Sequence, residues 1–202
     1  MIRYEVATYL AWGLWGVSWL LAAFWSDRPA ARAGWRAEAP YRLATFAGAV
    51  PLFWAAPAPG RLGGPAWRAE QWHWLVHPLW VLPASLGWSM LAVTVAGFAV
   101  AWWARLHLGR YWSATVGRKA AHKVVDTGPY RLVRHPIYTG IILSFAALAA
   151  ERGSAAALLG LVLLVFSFWL KARLEERFLR RELGAEAYDA YRRRTPMLVP
   201  FA

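Results

Sequence analysis

The 202-residue chain has no cysteine, so a disulfide framework, a thiolate nucleophile and a cysteine-based metal site are all excluded. That absence leaves the redox compartment open. Charge is scarce too: 17% of residues are charged, against about 25% in ordinary soluble domains. No Gly-x-Gly-x-x-Gly stretch occurs, which excludes a soluble Rossmann-type cofactor domain. Internal repeats and low-complexity segments are missing, apart from a richness in alanine. Acid is the rarer sign, with 11 Asp and Glu against 23 Lys and Arg.

The few charges are also clustered. Val6 to Trp25, Leu43 to Gly60, Gln71 to Ala104 and Gly153 to Leu170 contain none, and Pro136 to Ala150 is a shorter run of the same kind. A water-facing helix of that length would carry charges at helical spacing along one face. The chain therefore reads as an all-α integral membrane protein with about five transmembrane helices. Trp12, Trp25, Trp54, Trp74, Trp102, Trp103 and Trp169 fall near the ends of these runs, where the membrane interface favours tryptophan, while Trp15, Trp19 and Trp88 lie deeper. One Arg before Tyr4, the acidic Glu5 and no small-residue cleavage site after Trp25 make the first run a retained span rather than a signal peptide.

Pro51, Pro57 and Pro59 interrupt the second run, so a kinked or short helix is expected there. Gly60, Gly63, Gly64 and Pro65 mark an external loop, after which a long third helix is expected to reach about Ala104, started or bent by Pro78 and Pro83. Five spans place the chain ends on opposite sides. Of the Lys and Arg residues, 19 lie in Asp27–Arg42, Arg105–Arg134 and Lys171–Ala202, and 4 (Arg3, Arg61, Arg68, Arg152) on the other side. The positive-inside rule then puts the C-terminus in the cytoplasm and the N-terminus outside, as in a bacterial inner membrane. Topology and anionic lipid headgroups account for the basic balance without a nucleic-acid partner.

Residues 1–104 thus form three N-terminal spans, and 105–202 a cytoplasmic connector, a helical hairpin and a tail, within one structural domain. The connector from Arg105 to Arg134 is too long for a simple link. Glu151-Arg152-Gly153 alone separates the last two apolar runs, so these form an antiparallel hairpin that returns Arg134-His135 to Lys171–Glu176. The tail beyond Glu176 reads as an amphipathic helix with Phe178, Leu179 and Leu183, a break at Gly184, and a second short helix with Tyr188 and Tyr191 folding back on the membrane surface.

Pro136 is well placed as a first helical residue. The helix start would leave backbone donors facing the cytoplasm as a seat for a carboxylate, flanked by His135 and Tyr138. Taken alone, His-Pro-x-Tyr is more readily a cap and an interfacial anchor. At the end of the last span Lys171 and Glu175 are four apart, as are Arg173 and Arg177, a pattern usual for a solvated helix end. Its position opposite His135 raises its interest, because ionisable groups at a membrane boundary mark substrate paths. His73 and His77, four apart beside Pro78 with no third ligand evident, read as interfacial residues, so no metal site is expected.

Arg110-Tyr111-Trp112-Ser113, Gly128-Pro129-Tyr130, Arg134-His135-Pro136-Ile137-Tyr138-Thr139-Gly140, Glu175-Glu176, Gly184-x-x-x-Tyr188-x-x-Tyr191 and Pro196-x-x-x-Pro200-Phe201 together resemble the isoprenylcysteine carboxyl methyltransferase family and its relatives among phospholipid methyltransferases. The resemblance implies an S-adenosyl-L-methionine pocket at the cytoplasmic face. His122, Lys123, Val124 and Val125 would line the nucleoside side, with Gly128 and Tyr130 near them, and His135, Pro136, Tyr138 and Glu175 would meet the amino-acid end. Lys171 stands where the family often has arginine, so Lys171 or Arg173 would hold the substrate, with Glu175 completing a catalytic set. The acceptor implied is lipophilic or prenylated, reached through the membrane lipids. A phospholipid amine or a small thiol is the alternative acceptor; a sterol-type reductase using a nicotinamide cofactor and a non-enzymatic scaffold are the rival classes.

Overall fold

The computed structural model of the chain describes residues 3–24, 31–32, 34–54, 75, 77–109, 112, 117–118 and 124–201. Among them are six α-helices: α1 (Tyr4–Ala23), α2 (Trp35–Trp54), α3 (Ala84–Leu108), α4 (Pro136–Arg152), α5 (Ala155–Leu183) and α6 (Ala185–Arg194). A 3-10 turn spans Gly128–Arg131, and two-residue strands β1 (Ala31–Arg32) and β2 (Gly117–Arg118) pair antiparallel. The architecture is all-helical, and α1, α3 and α5 are long and apolar enough to cross a membrane. The other two expected spans fall on α2, which opens with Arg36, Glu38 and Arg42, and on α4, which has 17 residues.

Glycine decides how the helices pair. α3 lies along α4 and α2 along α5. A Cβ on Gly48 would stand 2.8 Å from the Gly160 carbonyl oxygen and 2.9 Å from the Leu164 amide. A Cβ on Gly140 would press on the Gly97 carbonyl and stand 2.8 Å from the Ala101 amide. Small residues let backbones approach this closely, which is how membrane helices gain dispersion contacts. Gly140→Val is therefore expected to cost at least ~1–3 kcal/mol of overpacking, because the atoms in its way are backbone. Thermal unfolding in detergent micelles should show the lowered melting temperature.

The hairpin is as tight as the sequence suggests. α4 ends on Gly153 in the left-handed region (φ 60), and α5 starts from Ser154, whose hydroxyl accepts from the Ala157 amide at 3.2 Å. The segment before α3 closes over this turn: the Leu79 amide donates to the Gly153 carbonyl at 2.6 Å and the Trp80 indole to the Ala150 carbonyl at 2.9 Å.

Three expectations need correction. The third helix is started by Pro83, its N-cap, as one expected alternative had it, but it excludes Pro78 and runs on from Ala84 to Leu108, because residues 78–80 spend their backbone on the hairpin turn instead. Trp12 is interior rather than interfacial: it is 9% exposed, stacked on Phe145 and edge-on to Phe53 and Phe98. The last span and the first tail helix are one helix, α5, since nothing between Leu170 and Leu183 breaks it before Gly184 turns at φ 92. Pro51 lies within α2, while Pro57, Pro59 and the loop from Gly60 to Trp72 lie outside the described residues.

Candidate active site

The site forms where α4 begins and α5 continues past its apolar part. Pro136 opens α4 at its first position, so its missing N–H costs no hydrogen bond, and His135 is the N-cap. The His135 and Tyr138 rings are parallel, 5.3 Å apart. The Tyr138 hydroxyl donates to Glu175 Oε1 at 2.5 Å, and His135 Nδ1 lies 3.6 Å from Glu175 Oε2. His135 and Tyr138, at the first turn of α4, thus share one cluster with the distant Glu175 at one end of the bundle.

Adjacent glutamates divide the work. Glu176 is buried, with a side chain 6% exposed; it accepts from Arg134 Nε at 2.8 Å and lies 3.2 Å from His135 Nε2. Arg134 in turn donates to the carbonyls of Thr195 and Arg192. Glu175 has a side chain 21% exposed, and among the described residues its Oε2 pairs only with His135, at 3.6 Å. Glu176 is therefore committed to the fold, whereas Glu175 keeps acceptor capacity for a ligand. A buried carboxylate needs such pairing, and a half-exposed one does not.

Lys171 and Arg173 part company on the helix. Lys171 lies one turn from Glu175, its Nζ 5.2 Å from the Tyr138 ring centre and 5.6 Å from that of Tyr41 on α2. Arg173 is exposed and sits over Trp169 at 5.3 Å, away from the cluster. Of the two cations offered by the sequence, the structure brings Lys171 to the site and leaves Arg173 on an outer face.

The 3-10 turn forms a second wall. Gly128 has φ 56, and a Cβ there would lie 2.6 Å from His107. The Tyr130 ring stacks against His107 at 6.2 Å, and its carbonyl accepts from the Tyr191 hydroxyl at 2.7 Å. Burial first, and the Glu175 charge second, push the Tyr130 phenol above its usual range; burial does the same to Tyr188 and Tyr191. All three stay neutral donors. Val125 packs on the core and Val124 is half-buried, while His122 and Lys123 lie outside the described residues.

The carboxylate seat expected at the start of α4 is narrower than the sequence suggests. The amides of Arg134 and His135 are taken by the carbonyls of Pro196 (2.8 Å) and Met197 (3.1 Å), and the Thr139 hydroxyl donates to Leu198 at 2.6 Å. The first intrahelical bond runs from Thr139 to His135, which leaves Ile137 and Tyr138 as the first-turn amides without an intrahelical partner. Sequence reasoning brought Arg134 near Glu176 but missed that the two form a buried ion pair, and it missed this tail strap and Tyr41 altogether. The available signal was the Arg134-His135 dipeptide facing two consecutive glutamates.

Part of this arrangement falls within one recognised region. Residues 89–181 match the isoprenylcysteine carboxyl methyltransferase family. The matched stretch holds most of α3, the 3-10 turn, α4 and most of α5, so it contains His135, Tyr138, Lys171 and Glu175; α1, α2 with Tyr41, and α6 lie beyond it. The chain is 34% identical over 125 residues to the nickel-cobalt-cadmium resistance protein NccN of Alcaligenes xylosoxydans xylosoxydans, covering 60% of this chain and 52% of that one. It is 31% identical over 140 residues to methanethiol S-methyltransferase 2 of Bradyrhizobium diazoefficiens, covering 64% and 52%. A methanethiol S-methyltransferase of a Pseudomonas species is 28% identical over 141 residues, covering 64% and 52%. The chain spans about half the length of these curated relatives.

Proposed function

We propose that the protein is an S-adenosylmethionine-dependent membrane methyltransferase, with five spans, a cytoplasmic C-terminus and its site at the cytoplasmic ends of α4 and α5. The observation that carries this reading is the Glu175 carboxylate, reachable from outside and held by Tyr138 and His135 within the family region. The family match and the relatives named as S-methyltransferases support it.

The donor set fits a cationic amino-acid cofactor. Glu175 offers charge for an ammonium group, the Ile137 and Tyr138 amides offer donors for a carboxylate, and the Tyr138 ring attracts a cation. When bound, that cofactor supplies an electrophilic methyl group on a sulfonium. The protein's own part is positioning, which can lower a barrier by roughly 7–11 kcal/mol when reactants are held in line. Tyr138 fixes the Glu175 carboxylate, His135 braces both by its stacked ring, and Lys171 holds an anionic acceptor in apolar surroundings that strip its water.

Incubating detergent-purified protein with methyl-labelled cofactor and, separately, a prenylcysteine analogue, a phospholipid extract and a short thiol tests the proposal. Label in one of the three is expected. No label in any, with a melting-temperature shift from NADPH but none from S-adenosylhomocysteine, would replace it with the reductase reading. Within the same assay, Lys171→Ala is expected to lower kcat/KM by more than about tenfold, the loss of one charge-assisted contact. Arg173→Ala should stay within about twofold, as exposed surface changes usually do.

A further inference from the structure

We infer that Phe168, backed by Phe145 and Trp12, is the floor of the acceptor site and restricts the acceptor to a short apolar chain bearing an anionic nucleophile, a small alkyl thiolate. The inference rests on the methyltransferase reading above and names its substrate class.

An acceptor held by Lys171 over the Tyr138 ring extends inward along the seam between the α3–α4 pair and the α2–α5 pair. Rings fill that seam. Phe168 lies 5.0 Å from Tyr138, Phe145 lies 6.2 Å from Phe168, and Trp12 stacks on Phe145 at 4.9 Å. Phe53 closes the side, 5.0 Å from Trp12 and 6.1 Å from Phe145. Separations in this range are ring contacts, so a saturated chain placed between two of these rings must part them by about 4 Å. The two pairs resist parting, because the Gly153 turn joins α4 to α5 at one end, the Tyr138 hydroxyl donates to Glu175 across them at the other, and the Arg152 guanidinium donates to the Phe53 carbonyl of α2 at 3.1 Å. Phe145 is buried, whereas Phe168 is half-buried and touches Tyr138, which makes Phe168 the plug ring nearest the reacting groups.

The charge at the site selects the head group. Lys171 favours an anion over an ammonium, so a protonated lipid amine with its two long chains fails on both counts. A thiol enters after losing its proton to water. Its sulfur lone pair then forms the new S–CH3 bond as the donor's sulfonium C–S bond breaks, and that bonding pair remains on the donor sulfur as a neutral thioether.

The test is a chain-length series from ethanethiol to dodecanethiol, with a farnesylcysteine analogue, run on wild type, Phe168→Ala and the milder Phe168→Leu. Wild-type kcat/KM is expected to fall by more than about tenfold from the short to the long thiols, the scale on which pocket size discriminates. Phe168→Ala should raise the long-to-short ratio by about tenfold, chiefly through KM, with Phe168→Leu intermediate. A purely structural role would lower every length by one factor and overturn the inference. So would wild-type use of dodecanethiol or farnesylcysteine equal to that of ethanethiol. Calorimetric binding of S-adenosylhomocysteine, measured alongside, separates the two levels: absence of binding by wild type removes the methyltransferase reading itself, whereas binding with a long-chain preference removes only the floor.

Discussion

Glu175→Gln is expected to weaken cofactor binding and lower methyl transfer, each by about 10- to 100-fold, the equivalent of one lost hydrogen bond to a charged group at ~1.5–3 kcal/mol. Glutamine keeps the shape and an oxygen for the Tyr138 hydroxyl, so the cluster should stay assembled. What disappears is the negative charge, and with it the attraction for an ammonium group on the partly exposed side of the carboxylate. An unchanged melting temperature beside the lower activity separates this role from a structural one. Glu176 sets the contrast, since its charge is already spent on Arg134 and His135.

The second large effect concerns that buried pair. Arg134→Ala leaves the Glu176 carboxylate inside the protein without its nearest cation and removes the guanidinium that holds the Thr195 and Arg192 carbonyls. Breaking a buried ion pair from one side costs ~3–5 kcal/mol, a drop in melting temperature on the order of 10 °C for a chain of this length. Removing both charges, as in Arg134→Met with Glu176→Leu, should restore most of the loss, because apolar partners of similar volume replace such pairs nearly neutrally. Thermal unfolding of Arg134→Met, Glu176→Leu and the double variant gives the coupling energy directly. The tail should loosen with Arg134→Ala, seen as faster exchange of the backbone amides at positions 134 and 135, which donate to the Pro196 and Met197 carbonyls.

Helix existence and the meeting of α4 with α5 were legible because both depend on local signals. Uncharged runs of helical length, Pro136 at one helix start and a three-residue break at Glu151-Arg152-Gly153 are enough to bring His135 and Tyr138 to Glu175. The choice between Lys171 and Arg173 was not legible, since it depends on which stripe of an uninterrupted α5 meets Tyr138, a phase set by packing rather than by the charges. Tyr41 escaped notice because its arrival at Lys171 follows from the register of α2 on α5 at Gly48 and Gly160, two glycines far apart in the chain. The tail strap involves backbone carbonyls, which any sequence possesses, so no residue type announces that Pro196 and Met197 cap the start of α4. Trp12 misled for the opposite reason: its type favours the interface, but a cluster of Phe53, Phe98 and Phe145 offers it more contact inside. Where helix pairing over long sequence distance sets the environment, residue type alone is a weak guide.

The carboxylate held by Tyr138 and His135 is expected to receive the methyl donor. Isothermal titration of S-adenosylhomocysteine into the full-length protein in detergent, for wild type and Glu175→Gln, measures it directly. A single saturable site in wild type, weakened at least about tenfold by Glu175→Gln, is the predicted result. Equal affinity in the two proteins, or no saturable binding by wild type, would contradict it.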